Sequence, residues 1–301
     1  MLSFQPITLA SMQELYHYLQ LSRSRTCDFT VGGIYMWIKY FDYCYCIQGD
    51  TLFIKGRLED DRRKVAFSLP LGAAPLGRSV SMIEEYCRAH GLKPNMSAVP
   101  EDTLPALQEA FPSCQISELV DWGDYLYDSH SLATLMGHKY NKKRNRVNKF
   151  MREYTGYEYR RLLPDDVSAV RSFFEESYCH QTDFSEMAKY ENNSVLQVLD
   201  NYSQLVALGF SGGYIVVDSR IVAFTIGEVL GDTLYVHIEK ALYDYAGSYE
   251  MINYCYAADC CREHPEVLYI NREDDAGDAG LREAKQSYNP LCILKKYDVF
   301  L

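Results

Sequence analysis

Two titratable side chains, His237 and Glu239, lie two residues apart in a segment where apolar and polar residues alternate, at positions 234–241. The alternation predicts a β-strand in which both side chains point to one face of the sheet, with Ile238 and Lys240 on the other. A histidine or carboxylate that lines a cleft can act as a general base. The same pattern also fits a half-buried strand whose polar face pairs with its neighbours. Because charged groups are costly to bury within a sheet, we favour the functional interpretation.

Acidic residues are concentrated after the next predicted strand, which ends at Asn271. Glu273, Asp274 and Asp275 follow directly, and Arg282 is close in sequence. Carboxylates at the carboxyl end of a strand are well placed to hold a cationic amine, so this loop is a candidate acceptor site. The alternative is a solvated acidic loop, which is common in an acidic chain.

A run of cations interrupts this acidic chain between His138 and Arg152. A helix is predicted at 138–154, and its spacing places five cations on one face. They are Lys139, Lys142, Lys143, Arg146 and Lys149. Such a face can bind the phosphates of tRNA or coenzyme A, or an anionic membrane surface. The alternative is an interdomain helix whose cations pair with the abundant acidic residues.

Composition narrows the classes of function. The 301 residues carry a formal net charge of −11, which argues against a general nucleic-acid binder, so a polyanion must meet a local basic patch. The ten cysteines lie mostly in apolar or aromatic segments, as reduced core residues do, and none has zinc-site spacing, so no metal site is predicted. The sequence shows no signal-like amino terminus and no run of roughly 18 apolar residues, which predicts a cytoplasmic protein without a transmembrane segment.

Apolar periodicity and turn signals divide the chain into two halves. The break at 155–156 predicts one domain at 1–154 and another at 155–301. In the first, the predicted strands are 2–8, 43–47, 51–55 and 65–69, and the predicted helices begin near Ser11 and cover 79–90, 100–110 and 138–154. In the second, the predicted strands are 157–163, 205–210, 214–217, 221–229, 233–240, 267–271 and 291–297. The predicted helices there are 165–178, 191–202, 248–262 and 281–287.

The element order of the second half is that of the GNAT acyltransferase superfamily. More specific strings are YNKKRNRVNKF at 140–150, AFTIGE at 223–228, HIEKA at 237–241, NREDD at 271–275 and GLREAKQSYNP at 280–290. With these strings the chain resembles the bacterial family called domain of unknown function 2156, which is grouped with the C-terminal domain of phosphatidylglycerol lysyltransferase. The resemblance implies an α/β (α+β) fold of two tandem GNAT-like domains, with mixed, mostly antiparallel sheets flanked by helices, as in Fem-type aminoacyl transferases.

The resemblance also implies site residues in the second, catalytic domain. In GNAT folds the pyrophosphate of the donor binds at the start of the helix that follows the central strand, which corresponds here to Gly247 and Ser248, with Asn271 nearby. This turn has one glycine and no basic residue, unlike an acetyl-CoA loop, so aminoacyl-tRNA competes with acyl-CoA as the donor. Tyr288 corresponds to the tyrosine that protonates the leaving group.

Two functions remain open. The first is an acyl- or aminoacyltransferase that moves an acyl group from coenzyme A or charged tRNA to an amine or hydroxyl acceptor, such as a small-molecule amine or a lipid headgroup. The second is a non-catalytic GNAT-fold module that binds RNA or a protein partner. Fold resemblance alone does not choose between them.

Overall fold

The computed structural model describes residues 1–59, 61–179 and 186–301. The described residues form two compact units. The first comprises Met1–Asp124, Asp274–Gly277 and Leu294–Leu301, and the second comprises Tyr125–Glu273 and Asp278–Ile293. Each unit contains one mixed, mostly antiparallel sheet with helices, which confirms the predicted α/β (α+β) class.

The strands, in chain order, are β1 (Gln5–Pro6), β2 (Cys44–Gln48), β3 (Thr51–Arg57), β4 (Val65–Phe67), β5 (Leu71–Gly72), β6 (Asn95–Pro100), β7 (Gln115–Glu118), β8 (Asp124–Asp128), β9 (Glu158–Arg161), β10 (Phe210–Val217), β11 (Arg220–Leu230), β12 (Thr233–Ala241), β13 (Tyr269–Asn271), β14 (Cys292–Leu294) and β15 (Lys296–Phe300). The helices are α1 (Leu9–Leu19), α2 (Val31–Tyr35), α3 (Ile38–Phe41), α4 (Leu76–His90), α5 (Leu104–Ala110), α6 (Ser129–Thr134), α7 (Asn141–Glu153), α8 (Val167–Phe174), α9 (Glu186–Asp200), α10 (Tyr202–Leu205), α11 (Ser248–Glu263) and α12 (Ala279–Gln286). No helix in the described part of the chain is long and apolar enough to cross a membrane.

Over the described residues, the first unit has an eight-stranded sheet and the second a seven-stranded sheet. The order in the first is β1-β2-β3-β4-β6-β15-β7, with β5 paired to β3. The order in the second is β14-β8-β13-β12-β11-β10-β9. In this second sheet β12 and β13 run parallel, whereas β9 to β12 form an antiparallel meander. The pairing between β12 and β13 ends at Tyr235 and Asn271, next to the candidate site described below.

The division into units differs from the boundary predicted at 154/155. Strand β8 pairs with β13, and helices α6 and α7 pack on α11, so residues 125–154 belong with the second sheet. Strand β15 lies between β6 and β7, so the last residues belong with the first sheet. Strand pairing across long chain separations decides both assignments, and it leaves no mark in local periodicity.

Most predicted elements are present with shifted ends, but two are wrong. Residues 205–210, predicted as a strand, form the end of α10 and a short 3-10 helix at Val206–Leu208, and strand β10 begins only at Phe210. The predicted strand 291–297 is two short strands, β14 and β15, in different sheets. A short apolar run fits a buried helical turn as well as a strand, which explains the first error.

Candidate functional site

Helix α7 carries the basic segment and sorts its cations between two environments. Tyr140, Lys143, Val147 and Phe150 recur at three- to four-residue spacing and are buried, so they form the stripe that faces the core. The exposed side carries Lys139, Lys142, Arg146 and Lys149. The expectation that Lys143 shares this exposed face is therefore wrong, because its side chain lies on the buried stripe.

Gly247 determines how closely α7 approaches the start of α11. Its φ is +90°, and a Cβ there would lie 2.9 Å from the carbonyl oxygen of Arg146. The buried hydroxyl of Ser248 donates a hydrogen bond to the carbonyl oxygen of Leu242 at 2.8 Å. These are the contacts of a tight helix junction. They add no support to the donor-binding role predicted for Gly247 and Ser248, which stays a prediction.

Glu250, in the first turn of α11, pairs with two cations of α7. Its Oε1 lies 2.6 Å from Nη1 of Arg146 and 3.4 Å from Nζ of Lys143. Burial alone would raise the pKa of Glu250, but the hydrogen bond from Arg146 and the charge of Lys143 outweigh it and lower that pKa. Burial lowers the pKa of Lys143, although Glu250 opposes this shift. An ionised carboxylate therefore already compensates the positive end of the α11 dipole.

Arg272 and Glu239 meet where the parallel strands separate. The last residue pair between β12 and β13 is Tyr235 with Asn271, and the chain then continues to Arg272. Nη2 of Arg272 donates to Oε1 of Glu239 at 2.7 Å, and Nδ2 of Asn253 donates to Oε2 of Glu239 at 3.1 Å. The side chains of Arg272 and Glu239 are only 11% and 12% exposed. Burial alone would lower the pKa of Arg272, but the charge of Glu239 outweighs it and the guanidinium stays protonated.

Two atoms of this group have no hydrogen-bond partner in the described part of the structure. They are Nη1 of Arg272, a donor, and Oδ1 of Asn253, an acceptor, and both are buried. Leaving a buried polar group unpaired costs about 1–3 kcal/mol, so native proteins rarely do so without a reason. An open donor and an open acceptor on either side of one carboxylate are the features of a site that pairs with a polar ligand.

Tyr288 lies against both buried cations. Nζ of Lys143 is 3.9 Å from the centre of its ring, and Cζ of Arg272 is 4.7 Å away. The side chain is buried, and burial raises the pKa of the hydroxyl well above its usual value despite the opposing charge of Arg272. The hydroxyl therefore keeps its proton at neutral pH. The Arg272 cluster is the name used below for Lys143, Glu239, Asn253, Arg272 and Tyr288.

His237 is separated from Glu239 by an irregularity in the strand. The register between β11 and β12 shifts at Ile226 and Gly227, where Gly227 pairs with Val236 and Ile226 pairs with Ile238. This β-bulge leaves His237 as the extra residue, so it and Glu239 do not share a face as predicted.

The contacts of the two side chains agree with this separation. Nε2 of His237 lies 2.8 Å from Oε1 of Glu228, and Nδ1 lies 2.7 Å from Oε1 of Glu273. The His237 and Glu228 side chains have no exposed surface. Burial alone would lower the pKa of His237, but the two carboxylates raise it to about 10. The His237 triad, as these three residues are called below, leaves neither ring nitrogen open to take up a proton from a substrate.

The remaining predicted site residues are not gathered in one place. Glu273 belongs to the His237 triad, and the buried Asn271 supports it by accepting a hydrogen bond from the backbone N–H of Glu273 at 2.6 Å. Asp274 and Asp275 are in the first unit, where each accepts a hydrogen bond from a backbone N–H two residues later. Arg282 lies on α12 in the second unit. The predicted acidic acceptor loop is thus divided between a buried triad and a turn.

Sequence reasoning missed Asn253, Glu250 and Glu228, and it did not assign Arg272 a role. Glu250 and Asn253 are three residues apart on α11, so they lie on the same side of the helix. Both are buried in a helix whose neighbouring residues are largely apolar. Polar residues at helical spacing within such a helix are the signal that would have found them.

Cys27, Asp28 and Asp124, in the first unit, are the one set of metal-ligand side chains within 4.8 Å of one another among the described residues. Nζ of Lys296 lies 2.7 Å from Oδ1 of Asp124, 2.8 Å from Oδ2 of Asp28 and 3.4 Å from Sγ of Cys27. This ammonium already supplies positive charge to the set. The absence of a metal site stays a prediction.

The sequence matches a known family over most of its length. A family described as phosphatidylglycerol lysyltransferase, C-terminal, matches residues 19–300. The chain belongs to this family. A crystal structure of a conserved protein of unknown function from Bacteroides thetaiotaomicron is 31% identical, with a TM-score of 0.90 over 100% of both chains.

Solved structures with lower sequence identity agree in fold. The structure of L-PGS from Bacillus licheniformis is 13% identical, with a TM-score of 0.66 over 96% of this chain and 91% of that one. A crystal structure of FemX is 9% identical, with a TM-score of 0.66 over 99% and 97%. These likenesses confirm a fold shared with L-PGS and FemX. A curated protein of Mycoplasmoides gallisepticum, itself uncharacterised, is 26% identical over 182 residues, 58% of this chain and about half (54%) of that protein.

Proposed function

We propose that this protein is an acyltransferase that moves an aminoacyl group from charged tRNA to an amine or hydroxyl acceptor, with catalysis in the second unit. Membership of the lysyltransferase C-terminal family supports acyl transfer. The observation that carries the proposal is the Arg272 cluster, where the buried Nη1 of Arg272 and Oδ1 of Asn253 have no partner among the described residues.

The cluster has the groups that ester aminolysis or alcoholysis requires. The acceptor attacks the carbonyl carbon of the aminoacyl ester, and the carbonyl oxygen becomes an oxyanion. Nη1–H of Arg272 stabilises that charge, as an oxyanion-hole donor does. Glu239 takes the proton that the acceptor loses, and Tyr288, which keeps its proton at neutral pH, gives one to the ribose oxygen as its bond to the carbonyl carbon breaks. Return of the proton from Glu239 to Tyr288 completes the cycle.

The start of α11 favours tRNA over coenzyme A as the donor. A pyrophosphate needs the free N–H groups and the positive dipole at a helix N-terminus. Here Glu250 already places a carboxylate in the first turn, and the backbone of Arg146 lies against Gly247. Exposed cations remain at Lys142 and Lys149 on α7 and at Lys139 in the turn before it, and they suit a phosphate backbone.

The test is a transfer assay with matched arginine variants. Purified protein is supplied with tRNA charged with labelled amino acids, and with either hydroxylamine or phosphatidylglycerol vesicles as the acceptor. Arg272→Lys keeps the charge but loses the planar fork of donors, so kcat should fall by about 10²–10³-fold. The control is Arg262→Lys on α11, whose side chain is 66% exposed, and it should transfer normally.

The outcomes separate the competing functions. Equal transfer by the two variants would remove Arg272 from the mechanism. Saturable binding of acetyl-CoA, with no effect of charged tRNA, would mean that the donor is an acyl-CoA instead of an aminoacyl-tRNA. The protein is a non-catalytic RNA-binding module if it binds tRNA without transferring the aminoacyl group, and if only substitutions of Lys139, Lys142 or Lys149 weaken that binding.

A further inference from the structure

The first unit contains a cavity of about 160 Å³ that the proposed transfer reaction does not use. It is lined by strands β3, β4, β6 and β15 and by segments next to them. The lining residues that matter here are Asp28, Phe41, Tyr43, Trp122 and Asp298. All of them belong to the first unit, so the cavity is a feature of that unit alone.

Asp28 brings to this cavity a carboxylate that shares its lysine with a second carboxylate. Lys296 lies between Asp28 and Asp124, so one ammonium faces two carboxylates. Asp124 is completely buried, and the backbone N–H of Cys27 also donates to it at 2.6 Å. Lys296 is almost fully buried as well, whereas the side chain of Asp28 is 19% exposed. Asp28 is therefore the carboxylate of this group that a ligand in the cavity can reach.

The pKa values of the group indicate what a cationic ligand would change at Asp28. Burial raises the pKa of Asp28, the charge of Lys296 opposes this shift and the charge of Asp124 adds to it. The pKa of Asp28 is therefore above its usual value overall. Burial alone would lower the pKa of Lys296, but Asp124 and Asp28 outweigh it and the lysine stays charged. A second cation beside Asp28 would stabilise its ionised form.

Aromatic rings form the apolar part of the wall. The ring of Phe41 lies 5.3 Å from that of Tyr43 and 5.9 Å from that of Trp122, measured between centroids. Burial, followed by the charge of Asp28, raises the pKa of the Tyr43 hydroxyl well above its usual value. Gly56 leaves room for this ring, because a Cβ there would come within 2.8 Å of it. Aromatic faces next to a carboxylate suit an organic cation, since the rings attract its charge and cover its alkyl part.

An irregular backbone shapes the rim. Ala98 has a φ of +54°, which is uncommon for a residue with a side chain, and the register of the paired strand shifts between Tyr297 and Val299. This bulge presents Asp298, which accepts a hydrogen bond from the hydroxyl of Ser97 at 2.6 Å. Four lining residues are acidic and two are basic, so the rim also favours a cation.

We propose that this cavity binds a primary alkylammonium group, with the ammonium against Asp28 and the alkyl chain along Phe41, Tyr43 and Trp122. The site is separate from the Arg272 cluster and does not depend on the proposed transfer reaction. Two sources share this chemistry, namely the side chain of a basic amino acid and the amine of a phospholipid headgroup.

The experiment titrates the full chain with three probes of similar size: n-butylammonium, n-butanol and butyrate. Tryptophan fluorescence and calorimetry report binding. The ammonium should bind saturably, and the neutral and anionic probes at least about tenfold more weakly. Lysinamide and glycerophosphoethanolamine then distinguish the amino-acid source from the headgroup source. Equal binding of the ammonium and the alcohol would overturn the proposal.

Variants tie the binding to Asp28. Asp28→Asn should weaken n-butylammonium binding by about tenfold or more, because it removes the carboxylate against which the ammonium is placed. Asp102→Asn, at an exposed residue of the same unit, is the matched control and should bind normally. If Asp28→Asn does not fold by circular dichroism, Trp122→Leu replaces it, with a loss of about three- to tenfold expected from the missing aromatic face. Unchanged binding in the folded variant would reject the site, while an aminoacyl-transfer assay of the same sample tests the proposed function independently.

Discussion

The two faces of strand β12 carry similar charges but differ in what they leave open. On one face, both ring nitrogens of His237 are bonded to the carboxylates of Glu228 and Glu273, and the side chain is sealed from solvent. On the other, Glu239 is bonded to Arg272 and Asn253, yet each of those partners keeps one unpaired atom. The first arrangement is complete within the protein, and the second requires a further polar group.

This difference shows that a charged residue in a central strand is not by itself evidence of a reactive group. The bulge at His237 changes which face each side chain joins, and the partners on that face decide its role. An ionic group whose hydrogen-bonding atoms all have partners stabilises the fold. A group with unpaired polar atoms lowers the stability, and ligand binding can recover that loss. The predictions below test this contrast.

The largest effect expected is on stability, from His237→Ala. This variant leaves Glu228 and Glu273 buried without their cation, which should lower the free energy of unfolding by about 3–5 kcal/mol. Urea denaturation measures the change. Transfer per folded molecule should be unchanged, and His264→Ala, at a 42% exposed histidine, is the control. A stable His237→Ala protein that has lost transfer would instead place His237 in the reaction.

The stability of the His237 triad should also depend on pH. The pKa of His237 rises from 6.5 in the unfolded chain to about 10 in the folded protein. The folded state therefore holds a proton that the unfolded state releases, so the stabilisation is complete below pH 6.5 and is lost as pH rises through 10. The free energy of unfolding should fall by about 3–5 kcal/mol across this window. In His237→Ala the free energy of unfolding should not show this dependence on pH. If the two proteins show the same dependence on pH, the proposed pairing of a protonated His237 with Glu228 and Glu273 is wrong.

On the opposite face, Glu239→Gln should act on turnover rather than on stability. Glutamine keeps a carbonyl oxygen that can accept the hydrogen bond from Arg272, but it cannot take up the proton of the acceptor, so kcat should fall by about 10²-fold. Glu158→Gln, at a carboxylate that is 60% exposed, is the matched control for charge removal. Normal transfer by Glu239→Gln would leave the open face without its proposed base.

The sequence predicted the fold better than it predicted the site. Local periodicity found the meander of β10 to β12, whose strands are joined by tight turns, and it found helices α7, α11 and α12. It could not find that β8 and β15 pair with strands far away in the chain. Those pairings depend on tertiary packing, which a single sequence does not display.

The site was only partly predicted, because its geometry also depends on tertiary packing. Glu239, Tyr288, Lys143 and Arg146 were all candidates, and the structure places Arg146 next to the cluster that contains the other three. The sharing of a face by His237 and Glu239 was wrong because strict alternation assumes a strand without a bulge. Nothing in the periodicity of 233–241 marks the extra residue, since its cause lies in the pairing with β11.

The smallest effect expected comes from the residue that supports the bulge. Thr225 pairs with Glu239, and its hydroxyl donates a hydrogen bond to the carbonyl oxygen of Ile238 at 2.8 Å. Thr225→Val keeps the shape but removes this bond, so the free energy of unfolding should fall by about 1 kcal/mol. The control is Thr134→Val at the end of α6, whose hydroxyl donates a solvent-exposed hydrogen bond to the carbonyl oxygen of His130. Because the bulge separates the two faces, the loss of transfer in Thr225→Val, expressed as a free energy of activation, should exceed the loss in its free energy of unfolding. If transfer is fully retained, the strand pairing alone holds Glu239 in place.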